Sequence, residues 1–152
     1  MELRPKIGID NLTFGMTRLE VIEILGNPDR IIELEDDNNQ LILEWNKKLL
    51  RLTFYKDENE KLGYLRTLNP KLKYNDQLII NSNTEFVKNE IFNELKEWEE
   101  DKYDFLTVHF NEKYWLSLNC EYGIVIDIEM GVPFRNDEEY DWAEIEKIKA
   151  SS

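Results

Sequence analysis

Residues 13–29, reading Thr-Phe-Gly-Met-Thr-Arg-Leu-Glu-Val-Ile-Glu-Ile-Leu-Gly-Asn-Pro-Asp, write out both ends of one short helix. Thr17 is placed to accept from the backbone N–H of Glu20 while the Glu20 carboxylate reaches back, a reciprocal capping box. Leu19, Val21, Ile22 and Leu25 give an apolar stripe at helical spacing. Gly26 suits the left-handed residue just past a helix, and Pro28 blocks continuation. A helix of fixed length followed by a forced turn leaves the rest of the chain to be arranged around it.

Downstream, the period changes from helical to alternating. Residues 30–34 read as a strand and 36–39 as a polar turn. Leu41, Leu43 and Trp45 alternate with polar positions, and Leu50, Leu52 and Phe54 alternate with Arg51, Thr53 and Tyr55. A turn at Asn46-Lys47 that sets Leu43 opposite Leu50 keeps both apolar rows on one face. A charged loop, 56–61, leads to a strand at 62–68.

The order then recurs. Ser82 and Glu85 form a second S/T-x-x-E box before an expected longer helix with Phe86, Val87, Ile91, Leu95 and Trp98 as its stripe. Strands follow at 104–110, with Leu106, Val108 and Phe110 inward, at 114–120, and at 124–128. Thr17/Ser82, Val21/Phe86, Leu41/Leu106, Leu43/Val108 and Trp45/Phe110 pair at one constant offset, which reads as an internal duplication. Asp137 is the expected N-cap of a final amphipathic helix carrying Tyr140, Ile145 and Ile148, with Trp142 as its anchor. The expected fold is therefore α+β: two-layer, tandem helix-plus-antiparallel-sheet units with helices packed on one sheet face. It forms one domain over 1–152, built from pseudo-repeats 6–69 and 71–129 with a C-terminal helical tail, 130–152.

Residues 14–29 resemble the opening motif of the SmpA/OmlA outer-membrane-assembly lipoproteins. The tandem plan is similar to that of β-lactamase inhibitory proteins. The matching residues are caps, turn glycines and core positions, so the resemblance implies fold more than function. Those lipoproteins carry a lipidated cysteine behind a signal peptide, and the secreted inhibitors carry disulfides. Here Cys120 is the only cysteine and the opening residues form no apolar segment, which implies a cytoplasmic relative.

The formal net charge is −13, from 32 acidic against 19 basic residues. That balance argues against direct nucleic-acid binding and against docking on an anionic membrane, both of which need clustered Lys and Arg. A Cys120–His109 nucleophilic pair fails on register, because setting Val108 opposite Leu116 points the two side chains to opposite faces. Cys120 then reads as a small core residue and His109 as a cross-strand residue near Trp115. The acidic turns at 33–39 and 56–60 lack the glycine and terminal glutamate of a calcium loop. No cofactor motif is present, and no catalytic or metal set is assigned.

What remains is the sheet face that the helices leave open. Its expected members are Glu44, Arg51, Thr53, Tyr55, Thr107, His109, Trp115, Ser117, Asn119 and Asp127; the strand at 62–68 is ambiguous in phase, but Tyr64 and Arg66 share a face that could join this set. Aromatic rings among polar and charged groups compose a recognition surface, although a solvated sheet face shares part of that composition. The candidate partner-binding residues are Tyr55, Tyr64, Arg66, His109, Trp115 and Asn119, rimmed by Glu35, Asp36 and Asp37. The expected function is a non-enzymatic protein-binding module: a cytoplasmic inhibitor or immunity-type protein that neutralises a basic toxin or nuclease by occlusion. The alternative is a small-ligand sensor or carrier.

Overall fold

A computed structural model describes residues 1–33, 39–136 and 139–142. Three two-residue strands open the chain: β1 (Leu3–Arg4), β2 (Gly8–Ile9) and β3 (Leu12–Thr13), paired in that order. Helix α1 (Arg18–Leu25) follows. Its box is formed: the Glu20 N–H donates to Thr17 Oγ1 at 3.3 Å, and the Thr17 N–H donates to Glu20 Oε1 at 3.1 Å. Gly26, at φ 83°, closes the helix by donating to the Ile22 carbonyl at 2.7 Å. The stripe is rotated from expectation. Only Val21 is fully buried, and Leu19 is 71% exposed.

The body of the protein is one eight-stranded antiparallel sheet. Its first meander is β4 (Arg30–Glu33), β5 (Gln40–Trp45), β6 (Leu50–Tyr55) and β7 (Lys61–Thr67). After a small hairpin, β8 (Lys73–Tyr74) and β9 (Gln77–Leu78), comes a helical turn, α2 (Thr84–Phe86), that widens into a π-turn over Val87–Ile91. The second meander is β10 (Glu99–Tyr103), β11 (Leu106–Asn111), β12 (Leu116–Glu121) and β13 (Ile124–Gly131). The sheet order β10-β11-β12-β13-β7-β6-β5-β4 joins the two meanders along their last strands.

The expected α+β, two-layer helix-plus-sheet tandem is therefore corrected: the chain is mostly β, and among the described residues α1, of eight residues, is the one regular helix longer than a turn. The physical reason lies at 84–98. Ile91 and Phe92 are both fully buried, and adjacent helical residues cannot both lie on one narrow stripe. The chain widens instead, with the Phe92 N–H donating to the Val87 carbonyl at 2.9 Å, and then leaves the helix. Tyr74 stacks on Phe92, and the Tyr74 and Tyr114 hydroxyls both donate to Glu94 Oε2, pinning the segment that was to be helical. The cap is Asn83, one residue beyond the expected Ser82, accepting from the Phe86 N–H at 3.1 Å.

One sheet face is the core. Leu43, Leu52, Leu65, Met130 and Leu116 lie opposite one another on successive strands, and Trp45, Leu50, Thr67, Ile128, Leu118 and His109 form the next row. Phe14, Val21, Ile79, Val87, Ile91 and Phe92 pack onto these rows from the short elements. Trp45 Nε1 donates to the Gly26 carbonyl at 3.1 Å, tying the end of α1 to the sheet. The two meanders attach to their lead-in segments by matching bonds. The Gly15 N–H donates to the Leu62 carbonyl, and the Asn81 N–H to the Val125 carbonyl. In return the Leu62 N–H donates to Met16 and the Val125 N–H to Ser82.

Candidate binding face of the sheet

The opposite face carries a charged row that spans the whole sheet: Arg30, Glu44, Arg51, Arg66, Glu129, Ser117, Phe110 and Glu99, one from each strand. Arg51 donates from Nε and Nη2 to Glu44 Oε2 at 3.0 and 2.9 Å. Arg66 donates from Nη2 to Asp127 Oδ2 at 3.0 Å, and this bond holds the guanidinium above its ordinary pKa. Asn119 Nδ2 bridges Asp127 Oδ1 at 2.5 Å and Glu129 Oε2 at 2.7 Å, and the Tyr64 hydroxyl donates to Glu129 Oε1 at 3.1 Å. Burial pushes the Tyr64 hydroxyl well above the usual phenol range, and the Glu129 carboxylate adds to the shift. At pH 7 the hydroxyl is therefore a fixed donor.

The two tyrosines lie flat because glycines stand beneath them. A Cβ on Gly63 would meet the Tyr55 ring at 2.0 Å, and one on Gly131 would meet the Tyr64 ring at 2.8 Å and the Trp115 ring at 2.9 Å. A ring lying over a glycine of the next strand replaces the missing side-chain contact and fixes the ring's position. The segment after β13 adds more rings. Trp115 meets Phe110 and Phe134 edge-on, Phe134 stacks on Tyr140, and Tyr140 stacks on Tyr55 at 4.8 Å. Trp142 lies beyond them, with Lys61 Nζ 5.2 Å from its ring centroid and its Nε1 donating to Glu58. Trp142 thus anchors on this domain; the expected helix beyond it falls outside the described residues.

Tyr55 and Asn119 lie on this face as the alternation predicts, and Tyr64 and Arg66 join them, which settles the phase of their strand. Trp115 sits in the turn before β12 and reaches this face through its contacts with Phe110 and Phe134. Glu35, Asp36 and Asp37 lie outside the described residues. His109 is the correction. It sits on the core face, 5% exposed, opposite Leu118 and not beside Trp115. The expected register was shifted by an odd number of residues, which turns a whole strand over. Thr107 moves with it, while Leu106, Val108 and Phe110 take the outer face. Glu129 lies beyond the strand end expected at residue 128, because β13 runs on to Gly131. Past a bulge that sets Val125, not Ile124, on the core side, the alternation of Ile128 and Met130 places Glu129 on the outer face.

On the core face, His109 Nδ1 lies 3.2 Å from Lys88 Nζ. The ammonium can only donate, so Nδ1 accepts and the imidazole is neutral. Cys120 now shares that face. Burial pushes its thiol up, which suppresses the thiolate that nucleophilic or redox chemistry would need. Among the described residues, no group of three or more His, Cys, Asp or Glu is disposed to hold a metal. Burial, and then the Lys88 charge, hold His109 below its ordinary pKa of 6.5, against opposing pulls from Glu100 and Glu85. The unfolded chain therefore takes up this proton first. The contribution to stability is complete above about pH 6.5 and declines as the pH falls from there toward the folded value. His109→Leu should flatten that decline; urea midpoints of both proteins at about pH 7.5 and 5.5 measure it, and parallel losses would refute it.

No protein-family model matches the chain, and neither does any curated protein. Solved structures similar in fold include two of bacterial proteins. A DUF4309 family protein from Bacillus subtilis aligns with a TM-score of 0.51 at 13% identity, over 86% of each chain. An extracellular protein containing a SCP domain from Bacillus anthracis aligns with a TM-score of 0.50 at 12% identity, over 85% of this chain. The chain spans about half of that protein's length, 49% of it. At such identities the likeness is one of fold: the architecture is shared with these two bacterial proteins.

Proposed function

We propose that the chain is a non-enzymatic protein-binding module that presents its outer sheet face to a protein partner, acting as a cytoplasmic inhibitor or immunity-type protein that occludes a toxin or nuclease. The observation that carries this reading is the pre-set arrangement of that face. Its tyrosines are seated on Gly63 and Gly131, and its arginines and acids are tied in two hydrogen-bonded groups, Arg51 with Glu44 and Arg66 with Asp127, Asn119 and Glu129. Rigid aromatic and arginine groups lose little entropy on binding and are the residue types that dominate interface energetics. The acidic balance favours a partner with a basic surround.

Affinity capture from native lysate at low and high salt tests the reading. A captured partner should bind the Tyr55→Ala/Tyr64→Ala variant about 30-fold more weakly, the loss expected for hot-spot rings worth about 2 kcal/mol. Leu19→Ala, on the exposed side of α1, should bind as the wild type does. Equal affinity for both variants would overturn the assignment. Failure to capture any protein at either salt would turn the reading to a small-ligand sensor. Cell fractionation tests the compartment separately, since the Bacillus anthracis protein is an extracellular one.

A further inference from the structure

We propose that Arg51 and Arg66 form a carboxylate clasp at the centre of the outer sheet face, and that its occupant is an acidic side chain of the protein partner. The identity of the occupant rests on the protein-binding reading; the existence of the clasp does not. The register sets these two cations directly opposite each other on β6 and β7, an arrangement that destabilises a sheet unless anions intervene. The acids nearby do not fully intervene. Glu44 serves Arg51 through one oxygen, and Asp127 takes one N–H of Arg66. Glu129, directly opposite Arg66 in the register, spends both oxygens elsewhere: Oε1 on Tyr64 and Oε2 on Asn119.

A guanidinium has five N–H donors. Among the described residues, Arg51 uses two of them and Arg66 one, and Arg66 Nε is buried without an acceptor. That shielded N–H shows how incompletely the neighbouring acids satisfy the pair, and the other unpaired guanidinium N–H groups are the ones an incoming oxygen acceptor can reach. Space for one is present on both sides. Both arginines line a depression of about 340 Å³ beside Trp45 and Leu68, and an adjoining one of about 280 Å³ walled by Ile42, Tyr55 and Tyr64. The acceptor should be singly charged. Glu44, Asp127 and Glu129 stand within the same patch of a chain of net charge −13, and they repel a phosphate dianion more than a carboxylate. A partner that fits thus carries an acidic residue within a basic surround.

The arginine Nε–H resonances of the full chain, labelled with nitrogen-15, test the clasp. Sodium acetate should shift the Arg66 and Arg51 signals saturably, with a midpoint of order millimolar for so small a ligand. Sodium chloride at matched ionic strength should not. Arg51→Gln should weaken acetate binding about tenfold, and Arg51→Lys should also weaken it, because an ammonium cannot present the planar fork. Unchanged amide signals from Leu52 and Leu65 would show that these variants keep the sheet. Shifts that merely follow ionic strength, or tighter binding of phosphate than of acetate, would overturn the carboxylate clasp. A captured partner whose affinity is indifferent to Arg51→Gln would overturn the acidic occupant while leaving the protein-binding reading in place. Saturable acetate binding with no captured partner would keep the clasp and remove the protein occupant.

Discussion

Replacing Asp127 with alanine should lower stability by about 2–3 kcal/mol, and most of that loss should disappear when Arg66 is absent. Asp127 is 2% exposed and lies at the junction of the two meanders, on the strand that pairs with β7. Its oxygens accept from Arg66 and Asn119. Truncating one member of a buried ion pair ordinarily costs about 3–5 kcal/mol, because the surviving charge stays buried. Here the Arg66 side chain is 36% open to solvent, so water recovers part of its hydration and the lower figure applies. In an Arg66→Met background no stranded cation remains, and Asp127→Ala should cost about 1 kcal/mol for the lost Asn119 bond, since Asn119 keeps Glu129. Urea unfolding of the four proteins gives the coupling directly. A coupling near zero would mean that the pair is idle and that the charged row contributes nothing to holding β7 against β13.

Which parts of this fold could be read from the chain depends on where local chemistry and burial agree. They agree at α1, where the Thr17 box, Gly26 and Pro28 leave one outcome. They agree again in the β5–β6 hairpin, where Leu41, Leu43 and Trp45 alternate cleanly and the error in pairing was an even one, so no side chain changed face. They disagree in the β11–β12 hairpin. Leu106, Val108 and Phe110 look like the inner row, but His109 and Asn111 occupy it. Asn111 is admitted because its amide is satisfied, with Nδ2 on the Glu97 carbonyl at 2.8 Å and Oδ1 on the Tyr114 N–H at 2.9 Å. In the first hairpin the matching end of the strand is Trp45. The turn decides this: four residues connect each hairpin, the last in the left-handed region, at φ 51° for Leu49 and 52° for Trp115. Neither residue advertises that conformation, which bulky side chains rarely adopt. Strand β10 was illegible for another reason. Its Glu-Glu-Asp-Lys-Tyr has little intrinsic strand preference and is held by pairing with β11 alone, while its charges guard an exposed sheet edge.

The outer face was legible in part of its membership and illegible in its rigidity. Alternation puts Tyr64 and Arg66 on one face and leaves open whether it is the face of Tyr55, and what fixes the rings is a glycine on the neighbouring strand and a tail arriving from the far end of the chain. Gly63→Ala is the substitution that separates these two contributions. Gly63 lies outside the positive-φ positions, so alanine there meets a clash without backbone strain. The new Cβ would stand 2.0 Å from Tyr55 Cε2 and 2.4 Å from Cδ2. The ring has no free direction of retreat, because Tyr140 is stacked on it at 4.8 Å and is itself stacked on Phe134. Overpacking of this kind should cost about 2 kcal/mol, against about 1 kcal/mol for Gly26→Ala, which is strained in φ but faces open space. The double variant Tyr55→Ala/Gly63→Ala should recover most of the loss, since the clash partner is gone. Displacing Tyr55 also removes the surface on which Tyr140 rests, so the segment around Arg135 should open and be cut by trypsin faster in Gly63→Ala than in the wild type. Destabilisation without faster cleavage would mean that the Phe134–Trp115 contact and the anchoring of Trp142 by Lys61 and Glu58 hold the tail, and that Tyr55 is not what fastens it to the sheet.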